Sequence, residues 1–185
     1  WSYCLSYTSF VMATSFLNMK IILRDKNKYV LRADVGEEVI GELQEFCLPI
    51  SLRETSRREA GDVPKGHRRG GIEAGKFFAI GAAKEVKLGW YDVDAKEYTW
   101  REYKEKLEIV SLLGNIAWKP FDPAQGKGEE VIVHAHGSFS NQQMQLVGGH
   151  VAKLVVGAAC EIVLEKFDGH IEKAHDPQTG LNLMQ

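Results

Sequence analysis

The sequence predicts a single compact domain of the α/β class, α+β in arrangement, with a mostly antiparallel or mixed sheet and one main helix. Three observations lead there. Strand-like runs rich in Val, Ile, Leu, Phe and Tyr follow one another at short spacing after residue 75. A single stretch carries clear helical periodicity, so there are too few helices to cover both faces of a doubly wound parallel sheet. At 185 residues the chain suits one hydrophobic core.

The elements fall in order. Lys20 to Ala33 suits one or two strands. Asp34 with Glu37 three residues later has the pattern of a capping box, and Val39, Ile40, Leu43, Phe46 and Cys47 follow on one helical face. Pro49 is expected to end that helix. Further strands are expected at Phe77 to Ala82, Val86 to Tyr91, Tyr98 to Tyr103, Glu130 to Ser140 and Ala158 to Phe167. Leu107 to Trp118 forms a long apolar run turned by Gly114, and Pro120 to Gly128 is a loop by its Pro and Gly content.

Two segments stand outside this pattern. Trp1 to Met19 carries no charge, lacks the basic start of a secretory signal, and is too often broken by Ser, Thr and Asn for a membrane span. Residues 1–18 are expected to be a poorly ordered extension, with Met19 as the biological start of a domain over 19–185. Residues 51–70 hold five arginines and one lysine against two glutamates and one aspartate, so this segment is basic. It reads as a solvated insertion, or more sharply as a basic arm for phosphate backbones through Arg57, Arg58, Arg68 and Arg69. The whole chain, with a formal net charge of −2, gives no global reason for nucleic-acid binding.

Cys4, Cys47 and Cys160 form no CxxC pair and are odd in number, which argues against a disulfide framework and for a reducing cytoplasm. Cys47 and Cys160 read as small core residues. No phosphate-binding glycine loop and no nucleophile elbow is present.

The chemistry concentrates in three histidines. In Val131-Ile132-Val133-His134-Ala135-His136, strand alternation puts His134 and His136 on one face, with Cβ atoms about 6.5 to 7 Å apart. Two imidazoles at that spacing can converge on one ion. His150 is the nearest further histidine, and Gly148 and Gly149 before it permit a sharp turn and close backbone approach. Three nitrogens with an open position suit Zn²⁺ or another divalent metal in an exchangeable or catalytic site. The plainer alternative is a pair of histidines facing a solvated groove. Glu108 and Glu161 are candidate carboxylates, Glu108 as the base of a zinc-dependent hydrolase. His67, His170 and His175 read as surface residues.

Several motifs, taken together, resemble one family. They are Tyr29-Val-Leu-Arg, the Gly36-Glu-Glu helix start, Gly75-Lys-Phe-Phe-Ala-Ile-Gly-Ala-Ala, Leu88-Gly-Trp-Tyr-Asp and Leu107-Glu-Ile-Val-Ser-Leu-Leu-Gly-Asn-Ile. His134-Ala-His, Gly148-Gly-His and Asp176-Pro-Gln-Thr-Gly-Leu complete the set. In this order, from about Met19 to the C-terminus, they resemble the PPC (plants and prokaryotes conserved) domain. The resemblance implies a mostly antiparallel α/β fold that assembles as a homotrimer. It implies a regulatory or ligand-binding module that, in plant relatives carrying AT-hook segments, is associated with DNA. It also implies a metal in some microbial members, at histidines matching His134, His136 and His150. Two departures stand out: the insertion of roughly twenty residues at 51–70, and Glu105-Lys106-Leu107-Glu108-Ile109 in place of the plant Gly-Arg-Phe-Glu-Ile motif. No Arg-Gly-Arg-Pro hook core occurs, so minor-groove insertion by such a hook has no support.

Overall fold

The computed structural model describes residues 18–48, 71–120 and 130–185. Most of the extension at 1–18, the basic segment 51–70 with Arg57, Arg58, Arg68 and Arg69, Pro49, Cys4, His67 and most of the loop after Pro120 lie outside the described residues. Strands β1 (Lys20–Asp25) and β2 (Lys28–Asp34) form a hairpin, and helix α1 spans Val39–Cys47. There follow β3 (Gly75–Asp92), β4 (Glu97–Tyr103), β5 (Leu107–Lys119), β6 (Glu130–Ser140) and β7 (Leu146–Lys166). A small C-terminal hairpin of β8 (Lys173–His175) and β9 (Asn182–Met184) completes the order.

The main sheet runs β1-β2-β7-β6-β5-β3-β4, and β3 pairs with β7 as well. That extra pairing closes β3, β5, β6 and β7 into a barrel. Every strand pairing described is antiparallel; one isolated parallel bridge joins Trp118 and Glu172. β7 is the hub. It keeps β3 along one edge, while its other edge meets β6 over Leu146–His150 and β2 over Ala159–Glu165.

The core fills the barrel and the space under α1. Leu31, Leu43, Leu112, Ile116, Phe139, Leu154, Ile162 and Leu164 are fully buried. Val39, Ile40, Leu43, Phe46 and Cys47 turn inward, the face that the sequence spacing predicts. Phe46 meets Tyr29 edge to face at 5.4 Å. Cys160 is buried, and that burial pushes its thiol up to about 12, which suits a core residue and not a reactive one.

Several local expectations are corrected. Glu37 does reach back to the Asp34 amide, at 2.8 Å, but the Asp34 carboxylate pairs with Lys20 and Arg32 and the helix starts later. The cap is Glu38, whose carboxylate accepts from the Ile40, Gly41 and Leu154 amides at 3.1, 2.7 and 3.0 Å. One side chain thus caps the helix and ties it to β7. The runs expected separately at Phe77 to Ala82 and Val86 to Tyr91 are one bent strand, β3. Gly114 does not turn β5; it makes room for the Phe77 ring, which an added Cβ would meet at 2.3 Å. The last long strand begins at Leu146, twelve residues before the expected Ala158.

Candidate metal centre

The barrel's outer face carries the site. Val131, Val133 and Ala135 point into the core, so the alternate positions His134 and His136 face outward together, as the strand pattern requires. His150 arrives from the neighbouring strand, directly opposite His136 in the ladder. It does not follow a sharp turn, because Gly148 and Gly149 lie within β7. The two glycines serve close approach instead: a Cβ on Gly148 would meet the Gly137 carbonyl at 2.8 Å, and one on Gly149 the Gly89 carbonyl at 2.7 Å. Side chains there would separate the strands that bring the histidines together.

The three rings converge. Centroids lie 5.1 Å apart for His134–His136 and for His134–His150, and 5.5 Å apart for His136–His150. Each ring offers one nitrogen such that all three lie within 4.8 Å of one another. Tetrahedral nitrogens bound at 2.0–2.1 Å stand about 3.3 Å apart, so small ring rotations bring the set to an ion. His134 and His150 are partly buried and His136 is exposed, which leaves one side open to solvent.

Electrostatics favour the form a metal needs. Burial pushes His134 down to about 4, and the positive charge of Lys173 and the neighbouring histidines adds to the effect. His150 is lowered for the same first reason, with His136 and Lys173 next. Both rings are therefore neutral near pH 7 and available as ligands. His150 Nδ1 is buried without a hydrogen-bond partner, as is Asn115 Oδ1; Asn115 pairs with His134 across the β5–β6 ladder. An unsatisfied buried nitrogen costs about 1–3 kcal/mol, a cost that coordination through that atom would remove. The residues present fit a divalent ion with nitrogen preference.

Aromatic side chains wall one flank. Trp100, Gly89 and His150 occupy one row across β4, β3 and β7. Because Gly89 has no side chain, Tyr98 and Trp100 lie over it and reach His150, with centroids at 5.3 and 6.0 Å. Sequence reasoning missed this wall; the polar–aromatic alternation of β4 was its visible signal.

The candidate carboxylates do not join the histidines. Leu113 stands opposite His136, and Glu108 lies five residues earlier on β5, roughly 15 Å along the strand. Glu108 and Glu161 instead line a shallow groove with Ile80, Val110 and Ala158. His170 and His175 are surface residues, as expected. His170 sits between Glu73 and Glu172, 2.9 Å from each, and those contacts, Glu172 first, raise its pKa.

The acid response of the metal-free protein follows from His134. Its folded pKa of about 4 lies below the ordinary histidine value of 6.5, so between these values the unfolded chain takes up a proton that the folded chain refuses. The contribution is fully present above pH 6.5 and is lost as pH falls toward 4. It amounts to no more than about 3.5 kcal/mol, since one pKa unit is worth about 1.4 kcal/mol. Denaturant midpoints at pH 7 and pH 4.5 should differ less in His134→Gln than in wild type; equal differences would contradict this account.

An antiparallel barrel with three converging imidazoles on its outer face defines a β-rich protein with a candidate histidine metal centre. The pattern of the Plants and Prokaryotes Conserved (PCC) domain matches residues 65–168, more than half of the chain. The chain belongs to that family. Solved structures agree in fold. A metal-containing protein from Archaeoglobus fulgidus is 28% identical, with 90% of this chain and 97% of that one covered and a TM-score of 0.65. A plant- and prokaryote-conserved protein from Pyrococcus horikoshii is also 28% identical, covering 85% and 90%, with a TM-score of 0.64. A candidate DNA-binding protein from Bacteroides thetaiotaomicron, 23% identical, covers 88% and 94% with a TM-score of 0.68, and that likeness is one of fold alone. No curated protein matches the chain.

Proposed function

We propose that this chain is a regulatory or ligand-binding module that holds a divalent metal, zinc first, on His134, His136 and His150. It works as a homotrimer and associates with DNA or with DNA-binding proteins in the cytoplasm. The observation that carries the reading is the convergence of three imidazole nitrogens within 4.8 Å, one ring having a buried nitrogen without a partner. The metal-containing relative from Archaeoglobus fulgidus supports it.

Self-assembly has its own support. Phe78 and Leu113 face each other across β3 and β5 and are 53% and 59% exposed; Ile80 and Val110 extend the same apolar surface. Large contiguous apolar patches on a folded surface mark interaction sites, and a second copy of the chain is the occupant proposed here. Among the described residues no helix is long and apolar enough to cross a membrane. DNA contact, if direct, falls to Arg57, Arg58, Arg68 and Arg69 in the basic segment.

The alternative is a zinc-dependent hydrolase on the same histidines, where a zinc ion would supply Lewis-acid chemistry. Among the described residues it lacks a base in place, because Glu108 is far along β5, so the module is preferred. Elemental analysis of zinc-treated, dialysed protein should give about one metal per chain, and light scattering a mass near three chains. Phe78→Asp should lower that mass. DNA affinity should fall steeply with salt and weaken when 51–70 is deleted. A metal-free protein would end the metal reading, and a monomer would end the assembly.

A further inference from the structure

Residues directly opposite one another in the ladders form a continuous row across the barrel. It runs through Phe78, Leu113, His136, His150, Gly89 and Trp100, from β3 by way of β5, β6 and β7 back to β3 and out to β4. The exposed apolar face and the histidine centre are therefore neighbours in one register. Leu113, 59% exposed, stands opposite both Phe78 and His136, the exposed ring of the three. Opposed Cβ atoms lie about 4.5–5.5 Å apart and strands about 4.8 Å apart. His136 is thus about 5 Å from Leu113 and about 10 Å from Phe78.

Those distances decide what a partner on the apolar face must also touch. A stable interface covers roughly 800 Å² of each partner, a disc with a radius of about 16 Å. A molecule centred on Phe78 and Leu113 therefore extends past His136. The barrel's curvature turns His150 and Trp100 away, so contact falls on His136, on the side of the centre that is open to solvent. The face also suits a second copy by charge. Lys76, with its side chain 63% exposed, marks one end, and Glu108 and Glu161 lie beside Ile80 and Val110 at the other. Lys76 holds Glu165 only by an exposed contact at 3.4 Å, which is worth little. Docked head to tail, the lysine end of one copy meets the glutamate end of the next.

We propose that the histidine centre lies at the margin of the subunit interface, where the neighbouring copy closes its open side at His136, so that metal binding and self-assembly strengthen each other. The inference rests on the metal and assembly readings above and adds a coupling that neither requires. An exposed imidazole loses rotamer freedom when it takes an ion, and a ring already held by a partner has less to lose. By linkage, whatever assembly adds to metal affinity, the metal returns to assembly.

The test measures Zn²⁺ affinity against a competing chelator, with mass by sedimentation, in the wild-type chain, Phe78→Asp and Ile80→Asp. Both variants change exposed side chains outside the ligand set and should lower the mass. Each should bind Zn²⁺ about 5- to 150-fold more weakly, the usual span of coupling between sites. The sign is diagnostic, because a new carboxylate on this face would by itself attract the cation. Zn²⁺ should also lower the concentration at which the wild-type assembly dissociates, and removing it with a chelator should raise that concentration. Dissociated variants with wild-type Zn²⁺ affinity overturn the coupling and leave both underlying readings standing. A wild-type assembly without Zn²⁺ ends the metal reading, and a wild-type monomer gives the face to another partner; either result ends the inference too. Variants that keep the full mass place the interface elsewhere and overturn it as well.

Discussion

His150→Ala is expected to bind Zn²⁺ at least about 100-fold more weakly than wild type, beyond the 10–100-fold typical of losing an outer-shell partner. The variant removes one of three converging nitrogens and the one ring with a buried atom lacking a partner. The metal-free variant should therefore be no less stable from that atom's loss, while its response to metal collapses. At free Zn²⁺ a thousand times the wild-type Kd, binding stabilises the folded chain by about 4 kcal/mol. A hundredfold weaker site retains only about 1.4 kcal/mol under the same conditions. Thermal melts with and without Zn²⁺ measure the difference. A wild-type shift in His150→Ala would remove His150 from the ligand set.

Gly81→Ala should cost about 3 kcal/mol or more. Gly81 has φ +144, a region that side chains rarely enter, and its added Cβ would meet the Ala159 carbonyl oxygen at 2.1 Å and Cys160 Cα at 2.9 Å. Both are backbone atoms of β7, so relief requires parting the strands that close the barrel. Register shifts beside Gly81 in its pairings with both β5 and β7 mark the bend. Gly169 is the control: its φ is +139 but nothing lies within 4 Å of its added Cβ. Gly169→Ala should carry only the backbone strain, so urea midpoints that fall equally in the two variants would refute the steric argument.

The histidine pair was legible because strand alternation is a local rule, and Val131, Val133 and Ala135 announce it by their apolar character. His150 was reached by a route only half right. Gly148 and Gly149 read both as a sharp turn and as a place of close backbone approach; the turn is absent, since both lie within β7, and the close approach is what they serve. That distinction depends on what lies across the sheet, which no local pattern records. The same reason hid the length of β7 and the continuity of β3. Helix α1 was legible from its apolar face, but its first residue was not. Asp34 has the right chemistry for a cap, and two neighbouring cations, one fourteen residues away, claim it instead. Lys173 left no trace at all. A lysine near a polar C-terminus reads as a solvated residue, and only the docking of β8 on β5 buries it.

The position of β7 within the chain governs how this protein comes to be folded. Its partners β2, β3 and β6 are all synthesised earlier, and Lys28 must wait for Glu165, which lies 137 residues downstream. Local turns can form beforehand, but the loop-closure entropy of these distant pairings is met only when the final long strand emerges. Assembly is therefore a late and slow event, on the millisecond-to-second scale of non-local β topologies. Until then the nascent chain holds its apolar strand faces uncovered.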